Sequence, residues 1–140
     1  MAGTPISSLA RRLGIEPGGR VGLIRAPEGF AATLEPLPER VRVRTQARAH
    51  LDVVVFFATR RSELERRFET LARAVGTEGA LWIAWPKRTA CVATDLREAV
   101  VREIGTGHGL VDDKLGSLDE HWSAVRFVNP ALAGFASRAS

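Results

Sequence analysis

The chain predicts one α/β domain built in three layers, with a mostly parallel sheet and an antiparallel pair at its carboxyl-terminal edge. Two apolar runs carry that prediction. Asp52-Val-Val-Val-Phe-Phe-Ala58 and Ala80-Leu-Trp-Ile-Ala-Trp85 are continuous and rich in β-branched and aromatic residues, the pattern of strands covered on both faces. The segment between them reads as an amphipathic helix, so the three pieces together form a parallel crossover. Ligands of such sheets sit at the carboxyl ends of the strands, which places a site before its chemistry is known. No motif in the chain forces a particular reaction.

The other elements follow in order. Ser7-Ser-Leu-Ala-Arg-Arg-Leu13 starts on Ser and is followed by Gly14, the start and stop pairing of a short helix. Pro17-Gly18-Gly19 turns the chain into a first strand, Arg20-Val-Gly-Leu-Ile24. Pro27 is then placed to open a helix at its first position, with Phe30, Ala31 and Leu34 on the inner face and Pro36 and Pro38 as the stop. Val41-Arg-Val-Arg-Thr45 alternates apolar and polar, as an edge strand does, and His50 lies in the connection to the central strand. Ser62 and Glu65 have capping-box spacing, and Leu64, Phe68, Leu71, Ala72 and Val75 recur on one helical face before Gly76 and Gly79. Asp95 and Glu98 repeat that spacing ahead of a helix with Leu96, Ala99, Val100 and Ile104 inward, released by Gly105, Gly107 and Gly109. Leu110 to Leu115 and Ser123 to Val128 read as two antiparallel strands at one edge. The expected domain therefore covers residues 1–130, and residues 131–140 read as a flexible tail.

Composition narrows the function classes. A chain of 140 residues is long enough to bury about 68–70% of the surface its unfolded form exposes, so it needs no disulfide staple. No apolar segment approaches the roughly 18 residues of a membrane span, and Met1 to Leu13 lacks the apolar stretch of a secretory leader. The single Cys91 permits no internal disulfide, so a cytoplasmic protein without membrane attachment is expected. The net charge is +4, and Lys87 and Lys114 are the only lysines among the 20 basic residues. Arginines are dispersed among glutamates and apolar positions rather than gathered in one stripe, so a nucleic-acid partner is not expected.

Glu16-Pro-Gly-Gly-Arg-Val21, the helix ending Leu71-Ala-Arg-Ala-Val-Gly-Thr-Glu-Gly-Ala-Leu-Trp82, and the last strand pair resemble the layout of class I S-adenosylmethionine-dependent methyltransferases. The resemblance implies a Rossmann-like, methyltransferase-like sheet. It also implies a Gly-rich turn after the first strand and an acid ending the second. Here those places hold Arg25-Ala26-Pro27-Glu28-Gly29-Phe30 and Arg44-Thr45-Gln46, so S-adenosylmethionine is a disfavoured cofactor and the cofactor is left undetermined. Leu13-Gly-Ile-Glu-Pro-Gly, Ala26-Pro-Glu-Gly-Phe30, Thr59-Arg-Arg-Ser-Glu-Leu64, Ala84-Trp-Pro-Lys-Arg88, Ala93-Thr-Asp-Leu96 and Trp122-Ser-Ala-Val-Arg-Phe127 resemble an uncharacterised actinobacterial family, domain of unknown function 3052. That resemblance implies no assigned reaction.

The candidate site is a crevice lined by Glu28, Thr59, Trp85, Lys87, Arg88 and Asp95. Lys87 and Arg88 leave the fourth parallel strand and are placed to hold an anion, helped by the amino end of the helix starting near Asp95. Glu28 is placed to accept a ribose or amine hydrogen bond, or to pair with Arg25, Arg60 or Lys87. Thr59 leads into the capped helix. Trp85 and Trp122 are packing residues or the walls of an apolar pocket. Cys91 reads as a small apolar filler, since no nearby His supplies a base, and His50, His108 and His121 lack metal-ligand spacing. Asp112, Asp113, Asp119 and Glu120 either bind a cation or, the favoured reading, keep an edge pair soluble.

These residues favour a non-catalytic module that binds a small anionic ligand or a protein partner. The alternatives are a minimal S-adenosylmethionine- or nucleotide-dependent transferase and a protein-assembly partner. Oligomeric state is left open.

Overall fold

A computed structural model of the chain describes residues 6–48 and 50–133. Six strands form one sheet: β1 (Arg20–Ile24), β2 (Arg42–Arg44), β3 (Val53–Phe57), β4 (Ala80–Pro86), β5 (Val111–Ser117) and β6 (Trp122–Val128). Their spatial order is β2-β1-β3-β4-β6-β5. The first four are parallel, while β6 runs antiparallel to both β4 and β5. The architecture is the mostly parallel sheet with an antiparallel carboxyl-terminal edge that the apolar runs predict.

Each face of the sheet has its own core. On one face α3 (Arg61–Val75) and α4 (Glu98–Gly107) cover Val54, Phe56, Leu81, Ile83, Trp85, Val125 and Phe127. On the other, α1 (Ser8–Leu13) and α2 (Phe30–Thr33) cover Val21, Leu23, Val53, Val55, Phe57, Trp82 and Ala84. This alternation is the two-residue period of β3 and β4, both buried along their whole length. Leu64, Phe68 and Leu71 of α3 are fully buried, each contributing roughly 1.5–3 kcal/mol over an exposed side chain. Trp82 also donates its indole N–H to the Leu13 carbonyl at 3.3 Å, tying β4 to the end of α1.

The helix ends are where the structure departs from local sequence logic. Ser7 caps α1 by accepting the Ala10 amide at 3.0 Å, and Gly14 closes it at φ 82°, as predicted. Pro27 does not open α2. Arg25 and Gly29 both adopt positive φ, and the Phe30 amide closes a turn on the Pro27 carbonyl, so the helix starts after Gly29 and is one turn long. Phe30 and Leu34, four residues apart, face inward, whereas Ala31 is exposed.

Neither capping box forms. The cap position of α3 is Arg60 and that of α4 is Arg97, without a side-chain cap bond at either. Glu65 is drawn to Arg61 instead, at 2.8 Å, and Asp95 Oδ1 accepts the Arg61 amide at 2.7 Å. Asp95 therefore caps the start of α3, 34 residues earlier, rather than its own helix. In α4 the inward residues are Val100, Val101, Ile104 and Gly105, and Ala99 is exposed. Gly105 and Gly107 lie within this helix rather than after it. The reason at Gly105 is contact: a Cβ there would fall 2.6 Å from Phe127 Cδ1 and closer still to Cε1 and Cζ.

β5 and β6 are in register except between Asp112 and Lys114, where Asp113 is the extra residue of a bulge. Its carboxylate receives Arg126 in a two-pronged bond, at 2.8 and 2.6 Å. The carboxylate's hydrogen bond holds the Arg126 pKa above its ordinary value, against a smaller opposing effect of burial. After β6 the chain forms one further turn, α5 (Pro130–Ala133), so the start of the expected tail is helical. Residues 134–140 of that tail lie outside the described residues.

Candidate functional site

The chain leaves β1 toward β2 on one side, then crosses back to lay β3 on the other side of β1. The carboxyl ends of β1 and β3 are thus the point where strand order reverses, the place where open α/β sheets hold a ligand between diverging loops. Beside that point runs the loop Arg25–Gly29, with φ 61° at its first residue and 86° at its last. Left-handed backbone is natural for Gly29, and a Cβ at that position would meet nothing within 4 Å, so space is open beside it. Arg25 pairs with Glu63 on the first turn of α3, at 2.9 Å. Glu28 is exposed and, among the described residues, takes part in no ion pair, so its carboxylate remains available to solvent. The Arg25 pairing with Glu28 considered from the sequence is replaced by the pair with Glu63.

Below the crevice, on the α1 and α2 side, three aromatic rings form a continuous edge-to-face cluster. Phe30 meets Phe57 at 4.8 Å and Phe57 meets Trp122 at 5.0 Å between centroids. Phe57 ends β3 and Trp122 begins β6. They meet across β4 because Ala84 and Ala124, opposite each other in the ladder, are too small to separate them. Phe30 and Phe57 are buried, and Trp122 is partly exposed. The sequence marks these rings only as packing residues, and their convergence on one end of the sheet depends on strand order.

The six predicted residues do not form one lining. Thr59 and Asp95 do converge: Thr94 Oγ1 donates to the Thr59 carbonyl at 2.6 Å and Asp95 accepts the Arg61 amide. These bonds fasten the loop after β4 to the start of α3, so the carboxylate of Asp95 already occupies that helix end. Lys87 is half-buried, and its amide donates to the His121 carbonyl at 2.8 Å. Arg88 is exposed on the 3-10 turn Arg88–Ala90. No ion pair engages either cation among the described residues. Trp85 is buried in the α3 and α4 core, on the opposite sheet face from Trp122, so the two cannot wall one pocket. Cys91 is exposed at φ 56° rather than a buried filler. His108 ends α4, stacked on Phe68 at 4.7 Å, with Nδ1 3.0 Å from the Ile104 carbonyl.

A separate cavity of about 420 Å³ lies at the other end of the sheet, between the Gly14–Gly19 loop and the starts of β1, β3 and β4. Glu16, Asp52, Glu78 and Arg126 reach it. Asp52 is engaged there in holding the Arg20 amide at 2.8 Å, and Arg126 is held by Asp113. The cavity was not legible in the sequence, since distant segments build it. No helix among the described residues is long and apolar enough to cross a membrane.

No protein-family profile and no curated protein matches the sequence. Solved structures do match in shape. The chain is similar to an O-methyltransferase of neocarzinostatin biosynthesis, NcsB1, solved with S-adenosylmethionine and a naphthoic acid, at TM-score 0.60 and 14% identity over 79% of this chain. It spans 49% of that enzyme, about half its length. It is also similar to an S-adenosylmethionine-dependent methyltransferase from Aquifex aeolicus, at TM-score 0.57 and 13% identity, covering 85% of this chain and 86% of that one. Magnesium protoporphyrin IX methyltransferase from Synechocystis, with bound S-adenosylmethionine, matches at TM-score 0.56 and 12% identity over 86% of this chain and 74% of that chain. The six-stranded sheet of this chain is thus the Rossmann-like fold of the class I S-adenosylmethionine-dependent methyltransferases.

Proposed function

We propose that this chain binds an S-adenosylmethionine-type ligand in the crevice between β1 and β3 and acts as a minimal transferase. The observation that carries this reading is the strand-order reversal at the carboxyl ends of β1 and β3, where such sheets hold their ligands, beside the open left-handed turn at Gly29. The bound molecules of the similar structures belong to this ligand class, which supports the choice. Fold alone would not, because one fold hosts many chemistries.

The residues fit such a ligand in part. The Arg25–Gly29 backbone allows close approach, the exposed Glu28 carboxylate can accept from a hydroxyl or ammonium group, and the exposed part of Trp122 offers an aromatic surface. Against this, no acid follows β2, where Arg44, Thr45 and Gln46 stand and Gln46 accepts from Arg48 at 3.0 Å. When bound, the cofactor would supply an activated methyl group. The chain's own residues would bind and orient it.

A second reading keeps the crevice and drops the chemistry: a non-catalytic module that takes a small anion on Lys87 and Arg88. The missing acid after β2 and the lack, among the described residues, of an ion-pair partner for either cation favour it. We also infer cytoplasmic residence and membership of the actinobacterial family of domain of unknown function 3052, on the motifs that resemble it.

Thermal shift and calorimetry with S-adenosylmethionine, S-adenosylhomocysteine and inorganic phosphate test these readings. Ligand at about 100 times its Kd would stabilise the fold by about 2.7 kcal/mol. A saturable shift with the adenosyl compounds, weakened by Glu28→Ala, is expected. A shift with phosphate alone, abolished by Lys87→Ala, replaces the transferase reading with the anion module. No shift with any of them refutes both.

A further inference from the structure

Among the described residues the sheet ends at β2, with no strand on its outer side. Parallel pairing engages alternate residues, and Arg42 donates its amide to the Gly19 carbonyl of the β1 side at 2.9 Å. Arg42 and Arg44 thus turn their backbone groups toward β1, and Val43 between them points its N–H and C=O outward. All three residues are exposed, and Val43 keeps 41% of its surface in solvent although it is apolar. An unsatisfied backbone pair and an exposed apolar side chain therefore lie together on the edge.

Arginines predominate around this edge, with Glu39 and Asp52 at the two ends of the segment. Arg20, Arg40, Arg42, Arg44 and Arg48 surround it, and none makes an ion pair among the described residues. Residues 40–51 contain no Asp or Glu. Elsewhere the chain pairs its arginines readily, as at Arg25, Arg61, Arg73, Arg102 and Arg126. Two open grooves, of about 560 and 290 Å³, follow the strand, one past Arg20, Arg40 and Arg42, the other past Val43, Arg44 and Arg48.

We propose that β2 docks an extended acidic segment of another protein, which joins the sheet as a further strand. Backbone bonds to Val43 would set its register, and alternate carboxylates would meet Arg42 and Arg44. A second copy of this chain is a poor occupant, because edge-to-edge pairing would set arginines against arginines. The same charges that repel a copy attract an acidic strand. Single-stranded nucleic acid would need stacking surfaces, and no aromatic residue other than His50 lies between Phe30 and Phe56 in the sequence.

The probe is a fluorescein-labelled peptide of alternating Glu and Val, followed by polarisation, with the alternating Lys and Val peptide and oligothymidylate as comparisons. Saturable binding of the Glu peptide alone is expected. Arg42→Glu with Arg44→Glu should weaken it about tenfold or more, as loss of charge-assisted bonds does. Val43→Pro, which removes the outward amide together with the exposed isopropyl group and is a substitution edge strands accommodate, should weaken it as well. Amide exchange of Val43 in the unaltered protein gives an independent readout, slowing on peptide addition. Binding that leaves Val43 exchange unchanged, equal binding of oligothymidylate or of the Lys peptide, failure of the Glu peptide to bind, or self-association in its place would each overturn the proposal.

Discussion

Replacing Gly105 by Ala tests the packing of α4 on β6 where the two elements come closest. Intrinsic propensity alone predicts stabilisation, since Ala is about 1 kcal/mol better than Gly inside a helix. Contact predicts the reverse. The new Cβ would meet three atoms of the Phe127 ring, the most distant of them at 2.6 Å. That ring is fully buried, set edge-on to Phe68 at 5.7 Å, on a strand held between β4 and β5. It has no free direction in which to retreat. Overpacking of this kind costs about 1–3 kcal/mol and sometimes more, and the severity here places it at or above the upper end. Net of propensity, a loss of about 2 kcal/mol is expected, which lowers Tm by roughly 6–10 °C for a domain of this size. Urea unfolding and differential scanning fluorimetry measure it. Phe127→Leu alone leaves a void and destabilises, but combined with Gly105→Ala it should recover part of the loss, a coupling that a double-mutant cycle reads directly. A Tm of Gly105→Ala at or above the original, or strict additivity in the cycle, would refute the contact argument.

Two further outcomes follow from the helix ends and the bulge. Asp95→Ala should cost about 1 kcal/mol in urea unfolding by uncapping α3, with Asp95→Asn milder, while Ser62→Ala changes stability by less than about half that; an equal cost at Ser62 would restore the local capping box. Arg126 and Asp113 should show a coupling of about 0.5–1 kcal/mol in a double-mutant cycle, reduced by salt because both side chains retain contact with solvent. The Arg126 pKa is raised on folding, so its contribution is complete below the ordinary arginine range and is lost only as pH rises through the raised value. Its part of the cycle should therefore be the same at about pH 6 and about pH 9, and a coupling that fades by the higher pH would contradict the assignment.

Strand identity and layer count were legible in the sequence, because each rests on short-range patterns. Val53 to Phe57 and Ala80 to Pro86 are apolar throughout because both sheet faces are covered, and Leu64, Phe68, Leu71 and Val75 show the helical repeat of a single buried face. Ser7 and Gly14 bound α1 as read, since the partner of Ser7 is an amide three residues away. For the candidate site the sequence named only an end of the sheet. Its composition depended on contacts between residues far apart in the chain: Asp95 with the amide of Arg61, Arg25 with Glu63, and Phe30 with Phe57 and Trp122. Ser62 with Glu65, and Asp95 with Glu98, satisfy the local spacing for a capping box equally well, yet neither forms one. At α3 the start of the helix lies beside the loop that follows β4, where the bond from Thr94 to the Thr59 carbonyl sets the neighbouring Asp95 carboxylate against the Arg61 amide. Sequence patterns report which face of an element is buried, since burial is a property of neighbours along the chain. Which polar group meets which is decided by strand order and loop path, and these exist only once the sheet has assembled.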